Sequence, residues 1–261
     1  MDKLIIIKIG GNIIDDERKL SLFLNDFATI NANKILIHGG GKLATRLAEQ
    51  MNTPQQLVDG RRITDAETLK IVTMVYAGYI NKNIVALLQA NGCNAIGLTG
   101  ADGNAILAHK RVNVTIDYGF VGDVDSVDAS LFTTLLGKGL CPVLSPITHD
   151  KNGQLLNTNA DTIAQEAAKA LSAFYDIELI YSFEKNGVLL DIGNENSVIK
   201  KLNTAYYSEL KREGKIFAGM IPKLDNAFSA LKNGVKKVII GKAEEIQLLL
   251  SGDKGTSISH D

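Results

Sequence analysis

The chain has 261 residues, 45% of them hydrophobic and 22% charged, which suits one large α/β domain or two lobes and is too apolar for disorder. Its 28 Lys and Arg against 29 Asp and Glu give a formal net charge of −1, so no global positive field gathers nucleic acid or an anionic membrane. The first apolar run, Leu4 to Ile7, is far too short for a signal-peptide core or a membrane span, and a cytosolic protein is expected.

In chain order, Lys3 to Ile7 reads as a buried strand entering a tight turn at Gly10-Gly11. Leu20, Phe23, Leu24, Phe27 and Ile30 recur at helical spacing, and Lys34 to Ile37 is a second strand closed by His38-Gly39-Gly40-Gly41. Thr64 to Glu67 matches a capping box, after which Leu69, Val72, Tyr76, Ile80, Ile84 and Leu87 mark one helical face as far as Gly92. Ala95 to Leu98 is the next strand. From Asn104 to Val127, short alternating runs broken by Gly119 and Gly122 predict hairpins that project from the main sheet as a lid.

Asp128 is placed to cap a helix through Leu136, Cys141 to Pro146 is a strand, and Asp150 to Gly153 is turn chemistry before Leu155-Leu156. Further elements follow: helix Asp161 to Leu171, strand Ile177 to Tyr181, a turn at Gly187, helices Thr204 to Arg212 and Ile221 to Asn233, strand Lys237 to Ile240 and helix Ala243 to Leu250. This alternation predicts a mostly parallel sheet between helices, with ligands gathered at the carboxyl ends of the strands, where the glycines lie. Cys93 and Cys141 lack CxxC spacing and read as small buried hydrophobes. The four histidines, His38, His109, His149 and His260, are scattered, and no protein-built metal site is predicted.

Five features bear on chemistry. Lys8-Ile9-Gly10-Gly11 ends the first strand in a lysine and two glycines that let a ligand approach the backbone; a strand-terminal Lys is also commonly a solvated end. Gly39-Gly40-Gly41-Lys42 joins a strand to a helix, so free N–H groups and the positive helix end meet an anion. A Walker loop fails there, because Leu43 stands where Ser or Thr holds magnesium. Gly39-x-Gly41-x-x-Ala44 fits a dinucleotide fingerprint, but the chain then runs through Pro54 to Arg61-Arg62 with no clear second strand ending in an acid.

Arg61-Arg62 offers a guanidinium to a carboxylate or is simply a solvated loop. Asn157-Thr158-Asn159-Ala160-Asp161 is a polar turn whose Asp161 reads, taken alone, as a helix cap. In Gly219-Met220-Ile221-Pro222-Lys223 the lysine opposes the helix dipole unless an anion, such as a nucleotide phosphate, offsets it.

Together and in this order, with Gly97-Leu98-Thr99-Gly100-Ala101-Asp102-Gly103 and Gly60 to Thr64 added, these features resemble the amino acid kinase family over essentially the whole chain. The resemblance implies a three-layer α/β/α sandwich with a mostly parallel central sheet and two lobes: 1–172, binding an acyl amino acid and dimerising, and 173–261, binding ATP. It implies transfer of the γ-phosphoryl group of ATP, with Mg2+ carried on the nucleotide, to the side-chain carboxylate of an N-acyl-L-glutamate in arginine biosynthesis. Lys8 and Lys223 would stabilise the moving phosphoryl group and Asp161 would orient both. Gly40, Gly41, Arg62, Asn157 and Asn159 would hold the acyl amino acid, and Gly10, Gly11, Glu184, Gly187 and Gly219 the nucleotide.

Two departures from the family pattern stand out. Phe183-Glu184-Lys185-Asn186-Gly187-Val188 replaces an Asp-Val-x-Gly-Val turn, so Glu184 keeps the negative charge while Lys185 changes the nucleotide wall; Ser257 stands where relatives often place arginine. The first strand begins almost at Met1, without the N-terminal helix of arginine-inhibited hexamers, and the resemblance therefore implies an arginine-insensitive homodimer. An acetyl and a succinyl substituent differ by one carboxylate, for which Arg61 and Lys42 are candidate partners or ordinary surface residues. The alternatives are a kinase of the same fold acting on aspartate, glutamate, carbamate or a nucleotide, and a non-catalytic amino-acid or nucleotide sensor.

Overall fold

The computed structural model describes residues 1–58, 61–112, 115–216 and 220–259, with the side chains of Arg61 and Phe183 outside that description. Gly60, Gly219 and His260, singled out above, lie outside the described residues.

Fourteen strands are present among the described residues: β1 (Lys3–Ile9), β2 (Asn33–His38), β3 (Leu57–Val58), β4 (Arg61–Arg62), β5 (Ala95–Leu98), β6 (Ile106–Lys110), β7 (Val121–Val127), β8 (Cys141–Leu144), β9 (Ile147–His149), β10 (Leu155–Thr158), β11 (Asp176–Phe183), β12 (Lys201–Leu202), β13 (Lys237–Lys242) and β14 (Thr256–Ile258). Eight form the main sheet in the order β12-β14-β13-β11-β1-β2-β8-β5. All neighbours in it run parallel except β13 and β14. On one side of β1 every strand precedes residue 173, and on the other every strand follows it.

The sheet is buried on both faces, which is why β1 and β2 read as unbroken apolar runs. Alternation along β1 sends Leu4 and Ile6 to a core shared with helices Ala129–Gly137, Ala160–Leu171 and Ile221–Lys232. Ile5, Ile7 and Ile9 face a second core built with helix Glu17–Ala28 and the long helix Ala66–Ala90. Each fully buried Leu or Ile contributes about 1.5–3 kcal/mol. The same period of two turns Lys8 toward the helix Ala160–Leu171, the geometric origin of the site described below.

Ala66–Ala90 is long and apolar enough by composition to cross a membrane, but Leu69, Val72, Val75, Ile80, Ile84 and Leu88 are spent on the second core. Its cap differs from the sequence expectation. Asp65, not Thr64, accepts from the Thr68 N–H at 2.7 Å, while the Thr64 hydroxyl donates to the Arg62 carbonyl. Both cysteines are buried free thiols, as their spacing suggested.

The segment expected to form a projecting hairpin lid is more enclosed than predicted. β6 and β7 do pair antiparallel, but β9 and β10 join them in a small closed barrel, β10-β7-β6-β9, with Val121 opposite Asn157. Backbone bonds from Thr64 to Tyr118 and from Phe120 to Thr64, 2.9 and 2.6 Å, fasten this barrel to the Arg62 segment.

Candidate active site

The carboxyl ends of β1 and β2 and the barrel enclose a cavity of about 260 Å³ whose lining includes Lys8, Gly40, Arg62, Tyr76, Asn157 and Asp161. A second cavity of about 580 Å³ lies beyond β11, with Glu184, Gly187, Val188, Ile216, Met220 and Lys223 in its wall.

Asp161 joins the two. It occupies the first turn of Ala160–Leu171, and its oxygens lie 2.6 Å from Lys8 Nζ and 2.9 Å from Lys223 Nζ. Burial alone would raise its pKa, but the two ammonium charges outweigh burial and hold it well below the usual carboxylate range. Asp161 is therefore an anion between two cations, and the trio keeps net positive charge between the two cavities. It does not cap its helix: Asn159 does, accepting from the N–H groups of Asp161 and Thr162 at 2.8 and 3.2 Å. Lys223 stands in the first turn of Ile221–Lys232, behind Pro222, where its charge opposes the helix dipole. Asp161 answers part of that cost.

The glycine turn after β2 is shaped by contact as much as by charge. Gly40 has φ +146°, and a Cβ there would overlap Ile80 Cδ1 and crowd the Tyr76 ring at 3.2 Å. Behind it His38 is fully buried; its Nδ1–H donates to the Gly39 carbonyl at 2.8 Å and Nε2 accepts from Asn81. Burial pulls its pKa down to about 4, so it is a neutral brace for the turn.

Arg62 is buried and gripped from three sides. It donates to Gln55 Oε1, to the Gly41 carbonyl at 2.9 Å and to Thr45 Oγ1 at 2.8 Å, which brings it beside the glycine turn. Asn157 Nδ2 donates to Thr64 Oγ1 at 3.0 Å, linking β10 to the Arg62 segment. Gly10 and Gly11 line the first cavity and also the crevice leading to Glu184 and Lys223. Across that crevice Asn12 donates to Glu184 and accepts from Lys42.

Thus Lys8, Asp161, Gly40, Gly41, Arg62, Asn157 and Asn159 converge on one cavity, and Lys223, Glu184 and Gly187 on the other. Tyr76, Gln55 and Thr45 escaped sequence reasoning because each sits in an ordinary helical or loop pattern. Arg111 escaped it too, because in the run His109-Lys110-Arg111 it reads as one of a pair of surface cations. Its side chain lines the first cavity and is clamped side-on by Asp123, with Nε 3.0 Å from each carboxylate oxygen.

A family model described as the amino acid kinase family matches residues 3–242. The chain belongs to the amino acid kinase family. It is 56% identical over 255 residues to an acetylglutamate kinase of Cytophaga hutchinsonii, covering 97% of each chain. It is 54% identical over 257 residues to an acetylglutamate kinase of Bacteroides fragilis, covering 98% of this chain and 97% of that one. Among solved structures, smu.665 from Streptococcus mutans superposes with a TM-score of 0.80 at 27% identity, covering 99% of both chains. The α/β architecture expected from the sequence is the one this family shares.

Proposed function

We propose that this protein phosphorylates the side-chain carboxylate of an N-acyl-L-glutamate with ATP, a step of arginine biosynthesis. The observation that carries the reading is the Lys8–Asp161–Lys223 bridge between two cavities, supported by near full-length identity to acetylglutamate kinases.

A side-chain carboxylate, which ordinarily titrates at about 4.3, is already ionised at neutral pH and needs no general base. The chemical task is to hold two anions in line and neutralise charge on the moving phosphoryl group. Lys8 and Lys223 supply that charge from opposite sides, and Asp161 fixes where both ammonium groups stand. The Gly10-Gly11 turn brings backbone N–H groups close to the transfer point. Arg62, Gly40, Gly41, Asn157 and Asn159 hold the acyl amino acid in the smaller cavity.

The larger cavity fits a nucleotide: Val188, Ile216 and Met220 give an apolar wall for a base, and Lys223 a cation for phosphate. Glu184, Gly187, Gly10 and Gly11 complete that seat. Magnesium, carried on the nucleotide, adds further neutralisation when bound.

On this reading residues 1–172 bind the acyl amino acid and 173–261 bind ATP, in the cytosol where both are available. A homodimer is the assembly we favour, since β5 forms an open edge of the main sheet and Met74 and Tyr79 of the neighbouring long helix are 51% and 63% exposed.

The test is hydroxylamine trapping of an acyl phosphate, with ATP and magnesium, offering N-acetylglutamate, N-succinylglutamate, glutamate and aspartate in parallel. A hydroxamate with an acylglutamate is the expected result. Product from aspartate or free glutamate alone would move the assignment to another kinase of this fold, and none from folded protein would favour a sensor.

A further inference from the structure

The smaller cavity contains more cationic recognition than its reading so far uses. Lys8 belongs to the transferring group, and Arg62 stands beside the glycine turn. Arg111 is a third cation in the lining, and its side chain is only 14% exposed.

Arg111 is held rigidly. Nε and one N–H of Nη2 donate to Asp123, the guanidinium carbon lies 5.8 Å from the centre of the Tyr118 ring, and the Arg111 backbone N–H donates to Val121 O at 2.7 Å. Asp123 offsets the desolvation of the guanidinium and raises its pKa further. Nη1 donates to no acceptor among the described residues, so the edge of the fork away from Asp123 keeps its hydrogen-bonding capacity. Val121 pairs with Asn157, and β6 and β10 belong to the same closed barrel, so Arg111 and Asn157 both reach the lining of the smaller cavity. An acyl substituent on an amino acid held at Asn157 therefore shares its cavity with the Arg111 side chain.

Resting on the acylglutamate reading above, we propose that Arg111 binds a carboxylate at the far end of the acyl group. The preferred substrate then carries a dicarboxylic acyl group, represented by N-succinyl-L-glutamate, and Arg111 is its specificity-determining residue. A half-satisfied, poorly solvated guanidinium gains most from a charged bidentate acceptor and little from a methyl group. The two residues named as candidates from sequence are less suited. Lys42 is engaged with Asn12 on the crevice, and the Arg61 side chain lies outside the described residues.

The experiment compares kcat/KM for N-succinyl-L-glutamate and N-acetyl-L-glutamate in the wild-type protein, Arg111→Gln and Arg111→Lys, with thermal melts to confirm folding. The expected wild-type ratio favours the succinyl substrate at least about tenfold, collapses toward one in Arg111→Gln, and is partly kept in Arg111→Lys. A wild-type ratio at or below one overturns the proposal and leaves the acylglutamate reading standing. So does a folded Arg111→Gln protein that loses both substrates equally, since a purely structural Arg111–Asp123 clamp would do that. Turnover of neither acylglutamate overturns the parent reading and this proposal together.

Discussion

Lys8 and Asp161 are 153 positions apart in the chain, yet their charged atoms lie 2.6 Å from each other, with Lys223 at 2.9 Å on the second carboxylate oxygen. The contact follows from two local facts: side chains alternate along β1, and Asn159 starts the helix that carries Asp161 in its first turn.

Lys8→Ala is expected to lower kcat at least about a hundredfold, because it removes charge stabilisation made mainly in the transition state. Steady-state turnover with ATP and the acylglutamate checks this, alongside a thermal melt. Turnover within a few fold of wild type would exclude Lys8 from the transfer step.

Arg62→Ala should raise KM for the acyl amino acid by roughly tenfold or more and that for ATP much less, because Arg62 lies in the smaller cavity. Equal increases for the two substrates would remove Arg62 from acyl recognition.

Gly40→Ala should destabilise the fold by about 2 kcal/mol or more, since its backbone has φ +146° and the new methyl group would overlap Ile80. Urea denaturation reads the effect directly. An unchanged midpoint would mean that the turn relaxes freely, contrary to its bracing by His38 and Tyr76.

His38 gives a pH dependence whose sign is fixed by burial. Its folded pKa of about 4 lies below the ordinary histidine value of 6.5, so between those values the unfolded chain takes up a proton that the folded protein refuses. Its contribution is fully present above pH 6.5 and is lost as pH falls toward 4, reaching about 3 kcal/mol at 1.36 kcal/mol per unit. The carboxyls of Asp65 and Asp161, shifted below 3.8, add their losses only in stronger acid. Urea midpoints at pH 7.5 and 5.0 should therefore differ more in wild type than in His38→Gln; parallel curves would contradict the assignment.

Much of the main sheet was legible because its strands are buried on both faces and so appear as apolar runs closed by glycine, as in Leu4 to Ile7 and Ile35 to Ile37. The small barrel was not. β9 and β10 are three and four residues long, and their partners are set by contacts far along the chain, which carry no local periodicity. Caps were ambiguous for a related reason: Thr64 and Asp65, or Asn159 and Asp161, are all competent acceptors, and only backbone geometry chose Asp65 and Asn159. The glycines and lysines of the candidate site were visible as punctuation. Tyr76 was hidden in a helical face, and Arg111, in the run His109-Lys110-Arg111, belonged to no motif that would mark it.

The central position of β1 gives the sheet a metrical role. Lys8 is registered opposite Ile37 on one side and Tyr181 on the other, so hydrogen-bond pairing from two directions fixes its height along the strand. Deleting one residue between Leu4 and Ile7 would displace Lys8 by about 3.3 Å and rotate it to the opposite face of the sheet. A length change in the exposed turn between Asp191 and Ser197 would disturb no such alignment. For this protein, tolerance to insertion and deletion is graded by strand register, and it is lowest where the chain sets the position of a single ammonium group.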